Sequence, residues 1–297
     1  MIQLTLAAVL VLVSQDAMSG HTRDVNCVAT SPDGKTVASG STDNTVRLWS
    51  NGSSKAVSGF KGDVTAVAFS ADGKWLAAGE MYKQLFLLDV AAGAVSKTFT
   101  DFDGRISSVA FSPDAKAVYS ACADYKFYKT STADGKQVAT ARASYQPVSV
   151  AVSPDGTLVV GCDDSGTVYL FDTELVQKAT VTHADKARCV AFSPDGSTVV
   201  SAGGDGTVKL WKATASGLDA LRDGPVFDAL AAAFSPDGRT LALGTFDNLV
   251  VTVDVASGTV KAKHEKHERP VTGVAWSPDG KTLYSSSMDM TVRAWRQ

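Results

Sequence analysis

The chain places a histidine, a serine and an aspartate where nucleophilic hydrolysis could be built: His21, Ser39 and Asp43, with Trp49 beyond them. In such a trio the imidazole takes the serine proton and the carboxylate orients the ring. The same residue types recur as His183, Ser201, Asp205 and Trp211, and again as His267, Ser285, Asp289 and Trp295. In each set Ser, Asp and Trp follow the His by 18, 22 and 28 residues. A nucleophile is needed once, so threefold recurrence at fixed spacing points to packing, and no catalytic residue is expected. A buried imidazole and a buried indole N–H each cost free energy when unpaired, and a hydroxyl between them serves both. His264 is the one histidine outside the sets. With His267 it forms His-Glu-Lys-His, a spacing that suits a metal on a helix, but the segment reads as a solvated loop, so no metal ligand is expected either.

The elements that hold these residues repeat with them. Ser-Pro-Asp-Gly, or a one-letter variant, begins at Ser31, Ser70, Ser112, Ser153, Ser193, Ser235 and Ser277, at steps of 39 to 42 residues. Each phrase is a tight turn: Pro fixes φ, Asp accepts a local backbone hydrogen bond, and Gly takes a positive φ. Apolar runs of strand length flank each turn, giving three strands and two hairpins across residues 20–50.

Turn, period and four-residue set together resemble the WD40 repeat. The resemblance implies an all-β chain, a single seven-bladed β-propeller over residues 1–297 with four antiparallel strands, a to d, in each blade. It also implies a hydrogen-bonded relay from Asp to His to Ser to Trp in blades one, five and seven. The Trp-Asp dipeptide that names the family is absent, since Ser50, Lys212 and Arg296 follow the tryptophans. Blade two carries Phe60, Ala78, Tyr82 and Leu88 at the relay places, blade three keeps Ser120 and Asp124, blade four has Phe171 for Trp, and blade six keeps Asp247 alone. Blades three to seven also resemble the terminal propeller of a U-box splicing-associated ubiquitin ligase, and blades six and seven the second propeller of actin-interacting protein. Those proteins' further domains do not occur in these 297 residues.

Blade seven lacks a fourth strand after Trp295. Residues 1–19, rich in strand formers, are the unassigned stretch, and they are expected to close the ring as its outer strand. A second reading of the same stretch is a secretory signal peptide, with an apolar run from Leu6 to Val13 and a small-residue site at Ala17-Met18-Ser19. No Lys or Arg precedes the run and cleavage would remove the closing strand, so an intracellular chain, cytoplasmic or nuclear, is expected. The run is too short to span a membrane as a helix.

The formal charge of −3 gives no general attraction to nucleic acid or anionic lipid. Of the four cysteines, Cys27 and Cys189 read as small buried hydrophobes in strand a, and Cys122 with Cys162 is the one pair with a plausible approach. The resemblance implies a binding face where strand a begins and the b–c turns end. Register places Asp24, Asn26, Thr42, Met81, Arg105, Gln146, Lys186, Arg188 and Asp228 there. Leu230, Phe246, Pro270 and Met288 form an apolar group on blades six and seven, with Arg105, Lys186 and Arg188 on the opposite arc. The expected function is a non-catalytic scaffold without cofactor, a subunit of a larger complex that binds proteins or peptide segments rather than a small-molecule substrate. The competing classes are a metal-dependent propeller hydrolase and a ubiquitin-ligase or splicing-complex adaptor.

Overall fold

The computed structural model describes residues 10–11 and 15–297. Among them, seven four-stranded antiparallel sheets, one of them with an added parallel strand, stand around one axis. Each innermost strand packs against that of the next blade, and the last against the first. Blade one has strand a at Val25–Thr30, b at Val37–Ser41, c at Val46–Ser50 and d at Ser53–Val57. Strand b is buried almost throughout in every blade because neighbouring sheets cover both of its faces. In blade three it therefore reads Ala-Val-Tyr-Ser-Ala-Cys, without polar alternation. Outer strands such as Ala94–Phe99 alternate between exposed and half-buried residues.

The recurrent turn is held as its composition requires. In blade one Ser31 Oγ donates to Asp33 Oδ1 at 2.7 Å and accepts from Thr36 N at 2.9 Å, while Asp33 Oδ1 accepts from Lys35 N at 3.0 Å. Gly34 takes φ of 70°. The Ser-to-Asp bond recurs in the other six turns.

Blade seven builds strands Val271–Trp276, Thr282–Ser287 and Thr291–Arg296, and Gln15–Ser19 pairs antiparallel with the last, Ser19 opposite Thr291. The ring is thus closed by a strand from the beginning of the sequence. Of the stretch expected to do this, residues 1–9 and 12–14 lie outside the described residues. Leu10–Val11 pair parallel with Val260–His264, the outer strand of blade six. The stretch expected on blade seven alone therefore touches two blades, which also covers part of an otherwise open sheet edge.

Every strand a carries a β-bulge at its second residue, at positions 26, 65, 107, 148, 188, 230 and 272. A bulge leaves one residue out of the ladder and aims it elsewhere. Here Asn26 Nδ2 donates to Val64 O of the next blade at 2.9 Å, Thr65 Oγ1 to Ile106 O, and Thr272 Oγ1 to Val25 O at 2.5 Å. Two further seams use a neighbouring serine: Val150 N donates to Ser108 Oγ and Val190 N to Ser149 Oγ, both at 3.2 Å. Arg188 meets Asp228 at 3.2 Å between blades five and six, and Trp276 Nε1 donates to Ala233 O at 3.1 Å between seven and six.

Candidate partner-binding face

The three relays are assembled in the core. In blade one His21 Nε2 and Trp49 Nε1 each lie 2.8 Å from Ser39 Oγ, and His21 Nδ1 lies 2.8 Å from Asp43 Oδ2. Blade seven repeats this with His267, Ser285, Trp295 and Asp289 at 2.7, 2.8 and 2.6 Å. Blade five keeps His183 and Trp211 on Ser201 at 2.7 and 2.8 Å. Its His183 Nδ1, however, is closest to Thr207 Oγ1 at 2.9 Å, with Asp205 at 3.5 Å. The cause is one residue. Ser41 and Ser287 accept from the backbone N of Asp43 and Asp289 at 3.0 Å and seat the turn, whereas blade five has Gly203 there.

These serines are fully buried and already bonded to two rings, so none is a free nucleophile. Burial lowers the His21 and His183 imidazoles below 6.5 despite their carboxylates. Burial pushes the Asp205 carboxyl up, but bonds from Thr207 and from Ala184 N outweigh it and bring it to about 2. Asp43 and Asp289 are held low against burial in the same way.

Degenerate blades replace the relay with devices that the fixed offsets do not reveal. In blade four the buried Asp163 accepts from Tyr169 OH at 2.7 Å, Tyr145 N at 3.0 Å and Ser165 N at 3.0 Å. In blade two the buried Glu80 accepts from Lys61 N and Gly62 N at 2.9 and 3.2 Å. In blade three Tyr128 donates to Asp124. Blade six fills the space with Leu243, Val251 and Val253. The sequence signal was an acid ending an apolar strand b, as in Ala-Ala-Gly-Glu.

Above this core one backbone bond recurs around the ring, from the first residue after strand b to the residue before strand a. It joins Thr42 to Asp24, Met81 to Asp63, Ala123 to Arg105, Asp164 to Gln146, Gly204 to Lys186, Phe246 to Asp228 and Met288 to Pro270, at 2.6 to 3.1 Å. Of the residues assigned to the face by register, Asp24 with Thr42, Asp228 with Phe246 and Pro270 with Met288 are thereby joined in pairs, whereas Asn26, Arg188 and Leu230 are bulge residues within strand a.

Three expectations change. Asn26 has its amide in a blade seam rather than free on the face. The positive arc is largely neutralised: Lys186 pairs with Asp164 at 3.0 Å and Arg188 with Asp228 at 3.2 Å, as Arg269 does with Asp24 at 2.9 Å, leaving Arg105 exposed. In the apolar group only Phe246 is exposed, at 54%, while Leu230, Pro270 and Met288 are half-buried. Unforeseen are three exposed tyrosines: Tyr82 at 60%, Tyr125 at 40% and Tyr145 at 57%.

His264 also differs from expectation. It ends the outer strand of blade six, is fully buried, and its ring lies 4.9 Å from that of Trp295. The four cysteines are free thiols, and burial pushes Cys27, Cys122 and Cys189 up to about 12. Among the described residues no three His, Cys, Asp or Glu side chains gather to hold a metal ion, and no helix is long and apolar enough to cross a membrane.

Comparison with protein families places a model described as the IFT122 first beta-propeller on residues 105–297, and the WD domain, G-beta repeat, on residues 13–50 and 53–87. No curated protein matches the chain.

Proposed function

Because this chain belongs to the IFT122 first beta-propeller family of WD40-type rings, we propose that it is a non-catalytic scaffold that holds protein segments on its rim and works as a subunit of a larger assembly. The observation that carries this reading is the sevenfold backbone bond between the b–c turn and the start of strand a. It fixes exposed side chains on a frame that need not reorganise on binding, and preorganisation is what turns contact area into affinity. The chemistry-bearing residues are consumed by the frame itself, since the His, Ser and Asp sets bond to one another. An intracellular setting accords with four free thiols, and the partners are proteins or peptide segments rather than nucleic acid, given the charge of −3.

The test compares wild-type chain with a rim variant carrying Met81→Asp and Phe246→Asp, both at exposed positions. The expected result is loss of co-purifying proteins with an unchanged melting temperature. Unchanged recovery, or a stoichiometric divalent metal accompanied by ester hydrolysis, overturns the reading.

A further inference from the structure

Resting on that reading, we infer that blades two to four form the docking arc of the rim, and that its occupant is an extended acidic protein segment bearing an apolar anchor side chain. Exposure is the first support. Tyr82, Tyr125 and Tyr145 stand 40 to 60% exposed on consecutive blades. Ala143 N donates to Tyr125 O at 2.8 Å, which sets the loops of Tyr125 and Tyr145 side by side. The bulge residue Thr65 of blade two donates to Ile106 O, next to Arg105.

Backbone cost is the second. The third b–c turn position lies in the left-handed region around the ring, and blades one, four, five and six fill it with Asn44, Gly166, Gly206 and Asn248, the residue types suited to it. Blade two instead places Lys83 there at φ of 66°, blade three Tyr125 at 70° and blade seven Met290 at 68°, so the arc holds two of the three bulky residues at this position. A side chain in this conformation is disfavoured because its Cβ crowds the following carbonyl oxygen. Tyr125 stays 40% exposed, so packing within the molecule covers only part of it. Such outliers gather at ligand sites.

Charge selects the occupant. Elsewhere on the rim Lys186, Arg188 and Arg269 are each matched by a carboxylate, whereas the exposed Arg23 of blade one forms no ion pair among the described residues. Within the arc Lys126 is matched by Asp103 and Asp124, but Arg105 and Lys83, both exposed, form no ion pair among the described residues. Tyrosine and arginine are among the residues that most often anchor interfaces, and unmatched positive charge steers an acidic partner into register.

The experiment uses the labelled full chain on an array of synthetic 12-residue peptides, each with one Leu or Phe flanked by Asp and Glu, beside twins flanked by Lys and Arg. Acidic peptides should be preferred at least tenfold. Tyr82→Ser with Tyr125→Gly should weaken the best peptide tenfold or more, as should Arg105→Glu, while Leu221→Ser, on the outer strand of blade five, binds as wild type. Melting temperatures keep folding separate, and Tyr125→Gly should raise its own. The inference is overturned by equal binding of both sets, by a preference for the basic set, by no binding at 1 mM peptide, or by self-association that the arc variants abolish. If Phe246→Ser loses binding and the tyrosine variants do not, the scaffold reading stands and the arc is wrong.

Discussion

Gly34 of blade one packs against Pro278 of blade seven so closely that a Cβ placed on the glycine would lie 3.2 Å from the proline Cδ. The same approach recurs at Gly73 on Pro32, Gly156 on Pro113, Gly196 on Pro154, Gly238 on Pro194 and Gly280 on Pro236, at 3.1 to 3.7 Å. The recurrent turns thus form a chain of contacts beneath the ring, each glycine against the proline of the blade before it. At the one remaining joint both partners change together: blade three has Ala115, at φ of 57°, and blade two has Ala71 in the proline place.

Ala115→Gly should therefore stabilise the protein by about 1 kcal/mol, by releasing an alanine from the left-handed region. Ala71→Pro should add about 0.5 kcal/mol in that background and less beside Ala115, whose Cβ crowds the ring. Urea titration of the four variants in a double-mutant cycle measures the coupling. Strict additivity would show that the joint is not a contact.

Ser285→Ala and Ser201→Ala each strand a buried imidazole and a buried indole N–H, and should cost about 2–3 kcal/mol. Ser120→Ala is the control. That hydroxyl is equally buried but has no hydrogen-bond partner among the described residues, so its loss should change stability by less than about 0.5 kcal/mol. Equal costs at the three positions, read from chemical denaturation, would count against the relay as the source.

Asp163→Ala should be among the most damaging single changes, at about 3 kcal/mol or more, because Tyr169 OH, Tyr145 N and Ser165 N all lose their acceptor in the core of blade four. Tyr169→Phe removes two bonds, the one the hydroxyl donates to Asp163 and the one it accepts from Ser144 N, and should cost about 1–2 kcal/mol. Thermal melts of the two variants give the ratio.

Acid should weaken the fold in two stages. His21 and His183 have folded pKa values below 6.5, so the unfolded chain binds more protons and stability falls as pH drops below about 6.5. Asp43, Asp205 and Asp289 are also depressed when folded, so their contribution is full above about 4 and is lost as pH falls towards 2, where Asp205 titrates. Melting temperature measured from pH 8 to pH 3 should decline in both windows. A flat or rising profile between 8 and 5 would show that the histidines are not held neutral.

What the residues disclosed in advance follows from what repeats. The relays were legible because His and Trp must meet one serine, and Asp the His, at fixed offsets along hairpins. Asp163 and Glu80 were not, because they sit at the end of strand b, outside those offsets, and serve single blades. The rim ion pairs were hidden for another reason. Lys186 with Asp164 and Arg269 with Asp24 join neighbouring blades, so ring packing sets their approach, not sequence separation. His264 was misjudged because strand d of blade six continues through it beneath Trp295.

The closing strand sets a timetable for assembly. Ser19 and its partner Thr291 are 272 residues apart, so Gln15–Ser19 leave the ribosome long before any edge exists to receive them. Synthesis at roughly 5–20 residues per second leaves that strand waiting for on the order of ten seconds or more, while blades one to six form beside it. Closure is the contact with the greatest sequence separation and comes last. Until then the outer edge of blade seven and the strand meant for it are both exposed, and a second nascent chain could supply either one.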